Sequence, residues 1–202
     1  MKTKLLTTLL TLAASTALFA ADSPANGSAA PDFSLTDSKG KTQSVSQYKG
    51  KYVVLEWFNP DCPFVKKHYG SGNMQKLQEE FSSKGVVWLT IDSSAEGKEG
   101  YLSADQANAK MTEWKTKQTA LVLDPDGKAG QAYGAKNTPH MFVINPEGKI
   151  VYQGAIDSKA SPNAADIPNS TNYVKVALDE SLAGKTVSNA NTKPYGCSVK
   201  YK

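Results

Sequence analysis

Tyr52-Val53-Val54-Leu55-Glu56-Trp57-Phe58-Asn59-Pro60-Asp61-Cys62-Pro63-Phe64-Val65-Lys66-Lys67 is the stretch on which the fold turns. Its first half, Tyr52 to Phe58, is a nearly continuous apolar run of strand length, the pattern of a strand covered on both faces. Asn59-Pro60-Asp61 is a turn signal. Cys62 then stands directly before Pro63, and proline is tolerated at the first position of a helix, where its missing N–H costs nothing. The spacing predicts a helix starting at Pro63 with Cys62 at or near its N-cap. A thiolate there faces the positive end of the helix dipole and unpaired backbone N–H groups, which lower a cysteine pKa below its free value of about 8.5. Lys66, one turn on, adds a cation and Asp61 opposes it, so the net expectation is an activated thiol.

Working outward, Pro63 to Phe81 reads as a helix interrupted at Gly70 and Gly72, and Val86 to Ile91 as a second continuous apolar strand. Ser103 with Gln106 three residues later forms a capping-box pattern, after which Ala107, Met111 and Trp114 recur on one helical face. Ala120 to Leu123 is a strand closed by Asp124-Pro125-Asp126-Gly127, and a short helix follows to Tyr133. Met141 to Asn145 and Lys149 to Tyr152 are joined through Pro146-Glu147-Gly148 in a hairpin signal. Upstream, Phe33 to Leu35, the turn Asp37-Ser38-Lys39-Gly40 and a polar segment before Gly50 suggest an N-terminal hairpin. Ser158 to Ser170 is turn-rich, Asn172 to Leu182 is an amphipathic helix, and Ser188 to Lys202 is an irregular tail carrying Cys197. Strands alternating with helices imply an α/β fold with a mostly parallel central sheet covered by helices, made mixed by the final hairpin.

Residues 1–20 have the form of a secretory signal: Lys2 and Lys4 at the start, an apolar run from Leu5 to Phe19, and small residues at Ala20 and Ala21. The expectation is a periplasmic or secreted protein, with no membrane anchor once the signal is removed. Residues 21–30 are small and polar and read as a flexible N-terminus, residues 31–185 as a single domain, and residues 186–202 as the tail. The net charge of +4 includes the two leader lysines, and the other lysines alternate with acids, so nucleic acid is not expected as a partner. All 23 basic residues are lysine, which excludes any role needing a guanidinium fork within this chain. Cys62 and Cys197 are the only cysteines, and two cysteines in an exported chain suggest a disulfide, structural or redox-active.

The order strand, cysteine at a helix start, helix, strand, helix, strand, then Thr138-Pro139 leading into a hairpin resembles the thioredoxin fold. Pro31-Asp32-Phe33-Ser34-Leu35, with Gly40 and Tyr48-Lys49-Gly50-Lys51, is similar to the start of the redoxin branch that includes the alkyl hydroperoxide reductase and thiol-specific antioxidant superfamily. The resemblance implies a thioredoxin-like fold, a cis peptide before Pro139 whose backbone lies against the active sulfur, and no cofactor. Lys193-Pro194-Tyr195-Gly196-Cys197-Ser198 resembles the tail of a peroxiredoxin-like subgroup.

Two departures narrow what the resemblance implies. The second cysteine of a thioredoxin-type Cys-x-x-Cys is Val65 here, and the peroxiredoxin pattern with its arginine is replaced by Leu55 and Asn59 with no arginine anywhere. Losing one such donor costs about a hundredfold to a thousandfold in rate. What remains is one-cysteine nucleophile chemistry with a distant partner: Cys62 attacks a disulfide or peroxide, and Cys197 resolves the product. The substrate cleft is expected to involve Trp57, Asn59, Pro63, Lys66, Thr138, Pro139 and His140, with Asn59 or Lys66 as partial substitutes for the arginine. His68 reads as part of a solvated lysine-rich turn, and His140 as a proton donor or metal ligand beside the thiol. No metal site is assigned, copper delivery being disfavoured by the single cysteine near the helix start. The resulting expectation is an exported thiol-dependent oxidoreductase of peroxiredoxin-like, antioxidant type, with an unidentified thiol reductant or disulfide or peroxide substrate and the oligomeric state open. The alternative is a non-catalytic binding module for a partner or metal, stapled by a structural Cys62–Cys197 disulfide.

Overall fold

The computed structural model of the protein describes residues 23–202, so the leader read at residues 1–20 lies outside the described residues. The run after Tyr52 becomes β3 (Val53–Trp57), with every residue buried. It follows a two-stranded N-terminal hairpin, β1 (Leu35–Thr36) and β2 (Thr42–Gln43), closed where Asp37 Oδ1 accepts the backbone N–H groups of Lys39 and Lys41. After the turn come α1 (Pro63–Gly70) and α2 (Asn73–Ser83), parted where Gly72 takes φ 75°, a conformation that glycine adopts without strain. Then follow β4 (Val87–Asp92), α3 (Ala104–Glu113), β5 (Ala120–Leu123) and α4 (Lys128–Ala132). The expected capping box is present at α3, with Ser103 and Gln106 bonded reciprocally. The chain continues through β6 (Asn137–Thr138), β7 (His140–Ile144), β8 (Ile150–Gly154), α5 (Tyr173–Leu182) and β9 (Cys197–Ser198).

The central sheet has the order β5-β4-β3-β7-β8. β3, β4 and β5 run parallel, whereas β7 pairs antiparallel with both β3 and β8, so the sheet is mixed as expected. Alternation along β3 divides the core between two faces. Val54 points to one face, with Phe58, Cys62, Met74, Phe81, Val174 and Leu178. Val53, Leu55 and Trp57 point to the other, with Leu89, Ile91, Tyr133 and Phe142. This is a thioredoxin-like fold: the sheet holds β3 at its centre, and β3 ends beside the helix that begins at Cys62.

Both terminal segments are tied to the domain. Residues 23–30, expected to be flexible, lie along β8 and the tail. Gln153 Nε2 donates to Pro24 O at 2.8 Å, Asn26 Nδ2 donates to Ala190 O at 2.6 Å, and Ala29 bridges to Lys149. The tail follows the β8 edge, where Thr192 N donates to Gln153 O at 3.0 Å, and then crosses to β6 as β9. Its last residues are tied too: Ala95 N donates to Lys200 O at 2.8 Å and Tyr201 Oη donates to Ala135 O at 2.8 Å.

Candidate functional site

Cys62 is the N-cap of α1, Pro63 occupies its first turn, and the thiol is wholly buried. The Thr138-Pro139 peptide is cis, and Cys62 Sγ donates to the Thr138 carbonyl at 3.1 Å. The tail completes the site. β9 pairs antiparallel with β6 so that Cys197 stands opposite Thr138, and the Cys197 thiol hydrogen-bonds to Cys62. Both cysteines are free thiols in the structure.

Burial pushes the Cys62 thiol up, but hydrogen bonds from the Cys197 side chain and backbone outweigh it, helped by Thr138 and the Val65 amide at the helix start. The net direction is downward, toward the thiolate. Cys197 moves the opposite way, raised by burial and by its hydrogen bond to Cys62. The pair therefore divides its roles: of the two thiols Cys62 is the one that gives up its proton more readily, and Cys197 the one that keeps it. Lys66, expected to add a cation here, lies at the surface and pairs with Asp61 across 3.8 Å.

The tail is gripped by a buried ionic network. Lys67 Nζ lies 3.0 Å from Asp157 Oδ2, both side chains being essentially without exposed surface, and it also donates to Lys159 O at 3.0 Å. Tyr195 Oη donates to Asp157 Oδ1, while its ring meets Phe64 edge-on with centroids 5.7 Å apart. Burial alone would raise Asp157, yet the hydrogen bonds from Tyr195, Lys67 and the Lys159 amide hold it below the usual carboxylate range. His68 completes the cluster, and it is fully buried, which corrects its reading as part of a solvated turn. Its Nδ1 meets Asn73 Nδ2 at 2.8 Å, and burial lowers its pKa to about 4, so the ring is neutral. Sequence reasoning missed Lys67, Asp157 and Tyr195 as a set. Helical spacing gave no signal for Lys67, because only His68 and Tyr69, three and four residues on, share the face of Val65.

Several expected cleft residues lie elsewhere. Trp57 is buried on the opposite face of β3 from Cys62, packed between Tyr133 and Phe142 with its indole N–H on Ser93 Oγ at 3.1 Å. The alternation of β3 carried this signal, since Trp57 shares parity with Val53 and Leu55 rather than with Phe58. His140 pairs across from Trp57 on that same side and stacks on Phe142, its pKa lowered to about 4 by burial and the Lys136 charge. A neutral ring turned to that core has no path to the thiol as a proton donor. Asn59 is buried, with Oδ1 accepting from Asp61 N at 2.8 Å and Nδ2 donating to Glu99 O at 3.3 Å, so one end of its amide serves the turn and the other ties the turn to the loop before α3. Pro63, Thr138 and Pro139 are placed at the thiol. Among the described residues, no three His, Cys, Asp or Glu side chains converge to hold a metal ion.

The comparisons agree with this geometry. The chain is 32% identical over 132 residues to the thiol-disulfide oxidoreductase ResA of Bacillus subtilis, covering 64% of this chain and 67% of that relative. An uncharacterized conserved protein of Geobacillus kaustophilus superposes with a TM-score of 0.75 at 25% identity, covering 88% of this chain and 93% of its own. The thioredoxin domain of a thiol-disulfide oxidoreductase from Bacteroides vulgatus superposes with a TM-score of 0.53 at 25% identity, covering 73% of this chain and 98% of its own. Residues 26–153 match the AhpC/TSA family. A cysteine-capped helix facing a cis-proline on a mixed five-stranded sheet, with that match over most of the domain, places this chain in the AhpC/TSA family on the thioredoxin fold.

Proposed function

We propose that the protein is a thiol-dependent oxidoreductase that exchanges disulfides through Cys62 as nucleophile and Cys197 as resolving partner. The observation that carries this reading is the placement of Cys197 opposite Thr138, its thiol hydrogen-bonded to a buried Cys62 whose pKa is lowered. The Cys62 thiolate attacks one sulfur of a substrate disulfide, forming a mixed disulfide and releasing the other sulfur as a thiolate. Cys197, losing its proton, attacks Cys62 Sγ, forms the 62–197 disulfide and expels the remaining substrate sulfur. Two electrons pass to the substrate and two protons end on its thiols. A thiol reductant returns the pair to the dithiol.

Disulfide exchange is favoured over peroxide reduction because the groups bonded to Cys62 Sγ are the Thr138 carbonyl, the Val65 amide and Cys197, with no guanidinium to align a peroxide. Export is part of the proposal and rests on the leader pattern of residues 1–20. Among the described residues no helix is long and apolar enough to cross a membrane.

The test is thiol trapping with mass spectrometry across a graded redox buffer, with Cys197→Ser as control. A 62–197 disulfide exchanging between about −120 and −270 mV is expected of a redox catalyst. A bridge that resists reduction below about −300 mV would make it structural and overturn the proposal in favour of a stapled binding module.

A further inference from the structure

The tail displays, in this chain's own atoms, how a cysteine-bearing strand seats beside Cys62. Cys197 stands in antiparallel register with Thr138. One residue back, Gly196 takes φ 118°, and a Cβ there would lie 2.1 Å from Thr138 O. Two residues back, Tyr195 fills a slot between Phe64 and the Lys67–Asp157 pair and donates its phenol hydrogen to Asp157 Oδ1. Cys62 has no exposed surface with the tail in place, so another chain reaches its sulfur only by taking the tail's position.

Displacing the tail has a defined consequence at the slot. Asp157 Oδ2 keeps Lys67 at 3.0 Å and Ser170 Oγ at 3.3 Å, while Oδ1 keeps only the Lys159 N–H at 2.9 Å. An ionised carboxylate is left with an open acceptor beside an apolar wall. A ring without a hydroxyl would cover that acceptor without satisfying it, and a ring with one would restore the lost charge-assisted bond.

We propose that this slot is a substrate subsite: it selects extended disulfide-bearing peptides with a tyrosine two residues before the reactive cysteine and a glycine between them, the pattern the tail itself presents. This rests on Cys62 being the nucleophile proposed above. Substrate strand and tail then alternate in one position. The substrate displaces the tail, Cys62 Sγ gives up its proton and attacks the substrate's cysteine sulfur, and the other sulfur takes up a proton and departs as a thiol. The returning tail brings Cys197 back to Cys62, and the attack of Cys197 releases the reduced peptide. Tyr195 re-enters the slot as the substrate tyrosine leaves, so product release and tail docking are one event.

The test uses the full reduced chain and three capped tripeptides, Tyr-Gly-Cys, Phe-Gly-Cys and Ala-Gly-Cys, each as the mixed disulfide with nitrothiobenzoate. Attack at the peptide sulfur releases the chromophore, which is the better leaving thiol. The tyrosine peptide is expected to react about tenfold faster than the phenylalanine peptide, the discrimination typical of a polar group otherwise left unpaired. Asp157→Asn should erase that ratio. Should that variant fail to fold, Tyr195→Phe serves instead: the tail's own grip weakens, so all three peptides react faster with the preference for tyrosine kept. Equal rates for the tyrosine and phenylalanine peptides on the unmodified chain overturn the subsite and leave the Cys62 reading standing. Rates no faster than free cysteine for all three peptides overturn both.

Discussion

Glu56 sits at the centre of β3 with no exposed surface, and replacing it by glutamine has a calculable effect on stability. Its Oε2 accepts from Trp88 Nε1 at 2.9 Å and Thr90 Oγ1 at 3.2 Å, and its Oε1 accepts from Tyr69 Oη at 2.9 Å. Burial outweighs those hydrogen bonds and raises the carboxyl from its ordinary 4.5 to about 7. Between those values the folded protein holds a proton that the unfolded chain has released, so stability is complete below about pH 4.5 and falls as pH rises through 7. At about 1.4 kcal/mol per pH unit the loss amounts to about 3 kcal/mol. Glutamine keeps the network: its Oε1 can take Trp88 and Thr90, and its Nε2 can donate to the Tyr69 oxygen. Glu56→Gln should therefore match the unmodified protein near pH 4.5 and exceed its stability by about 3 kcal/mol at pH 8. Urea denaturation in reducing buffer at a series of pH values measures this, and taking the difference between the two proteins cancels the similar slope from Asp92, which burial also raises to about 7. Parallel pH profiles for the two proteins would refute the reasoning, because Glu56 would then titrate alike folded and unfolded.

Cys197→Ala removes a hydrogen bond that favours the Cys62 thiolate, so the pH midpoint for reaction of Cys62 with iodoacetamide should rise; Cys197→Ser keeps a donor and should raise it less. An unchanged midpoint in both variants would mean that the helix start alone sets the acidity. Gly196→Ala places a Cβ 2.1 Å from Thr138 O at a φ of 118°, a strain of more than about 1 kcal/mol. The tail should lift and Cys62 alkylate several-fold faster, while the urea midpoint of the core stays put. Lys67→Met leaves Asp157 buried without its cation and should cost about 3–5 kcal/mol, read from the denaturation midpoint. A loss below about 1 kcal/mol would show that Tyr195 and Ser170 suffice for the carboxylate.

The parts of the molecule legible in the sequence are those whose cause is local. Tyr52 to Cys62 reads as strand, turn and helix cap because each step is set by neighbours in the chain, and the Ser103 capping box is equally self-contained. Thr138-Pro139 was placed at the thiol by family resemblance, since nothing in the dipeptide itself dictates a cis bond. The misplacement of Trp57 and His140 had a readable remedy, for they pair across β3 and β7 on the side away from Cys62. Lys67 and His68 are a different case. Their burial depends on Asp157, about 90 residues later, and a lysine followed by a histidine near another lysine looks like surface until that partner arrives. β9 is two residues long and pairs only with two-residue β6, so no periodicity announces it.

The two sulfurs of the site lie near opposite ends of the domain, Cys62 on the first helix and Cys197 beyond the last. A chain made from its N-terminus presents Cys62 long before Cys197, with the central sheet and α5 made in between. Until β9 has emerged and crossed to Thr138, Cys62 has the Val65 amide at the helix start but neither the Cys197 hydrogen bonds that lower its pKa further nor a second sulfur beside it. On the proposed exchange, turnover waits for β9 to dock, and a chain cut short after α5 keeps Cys62 but lacks the sulfur that would resolve it.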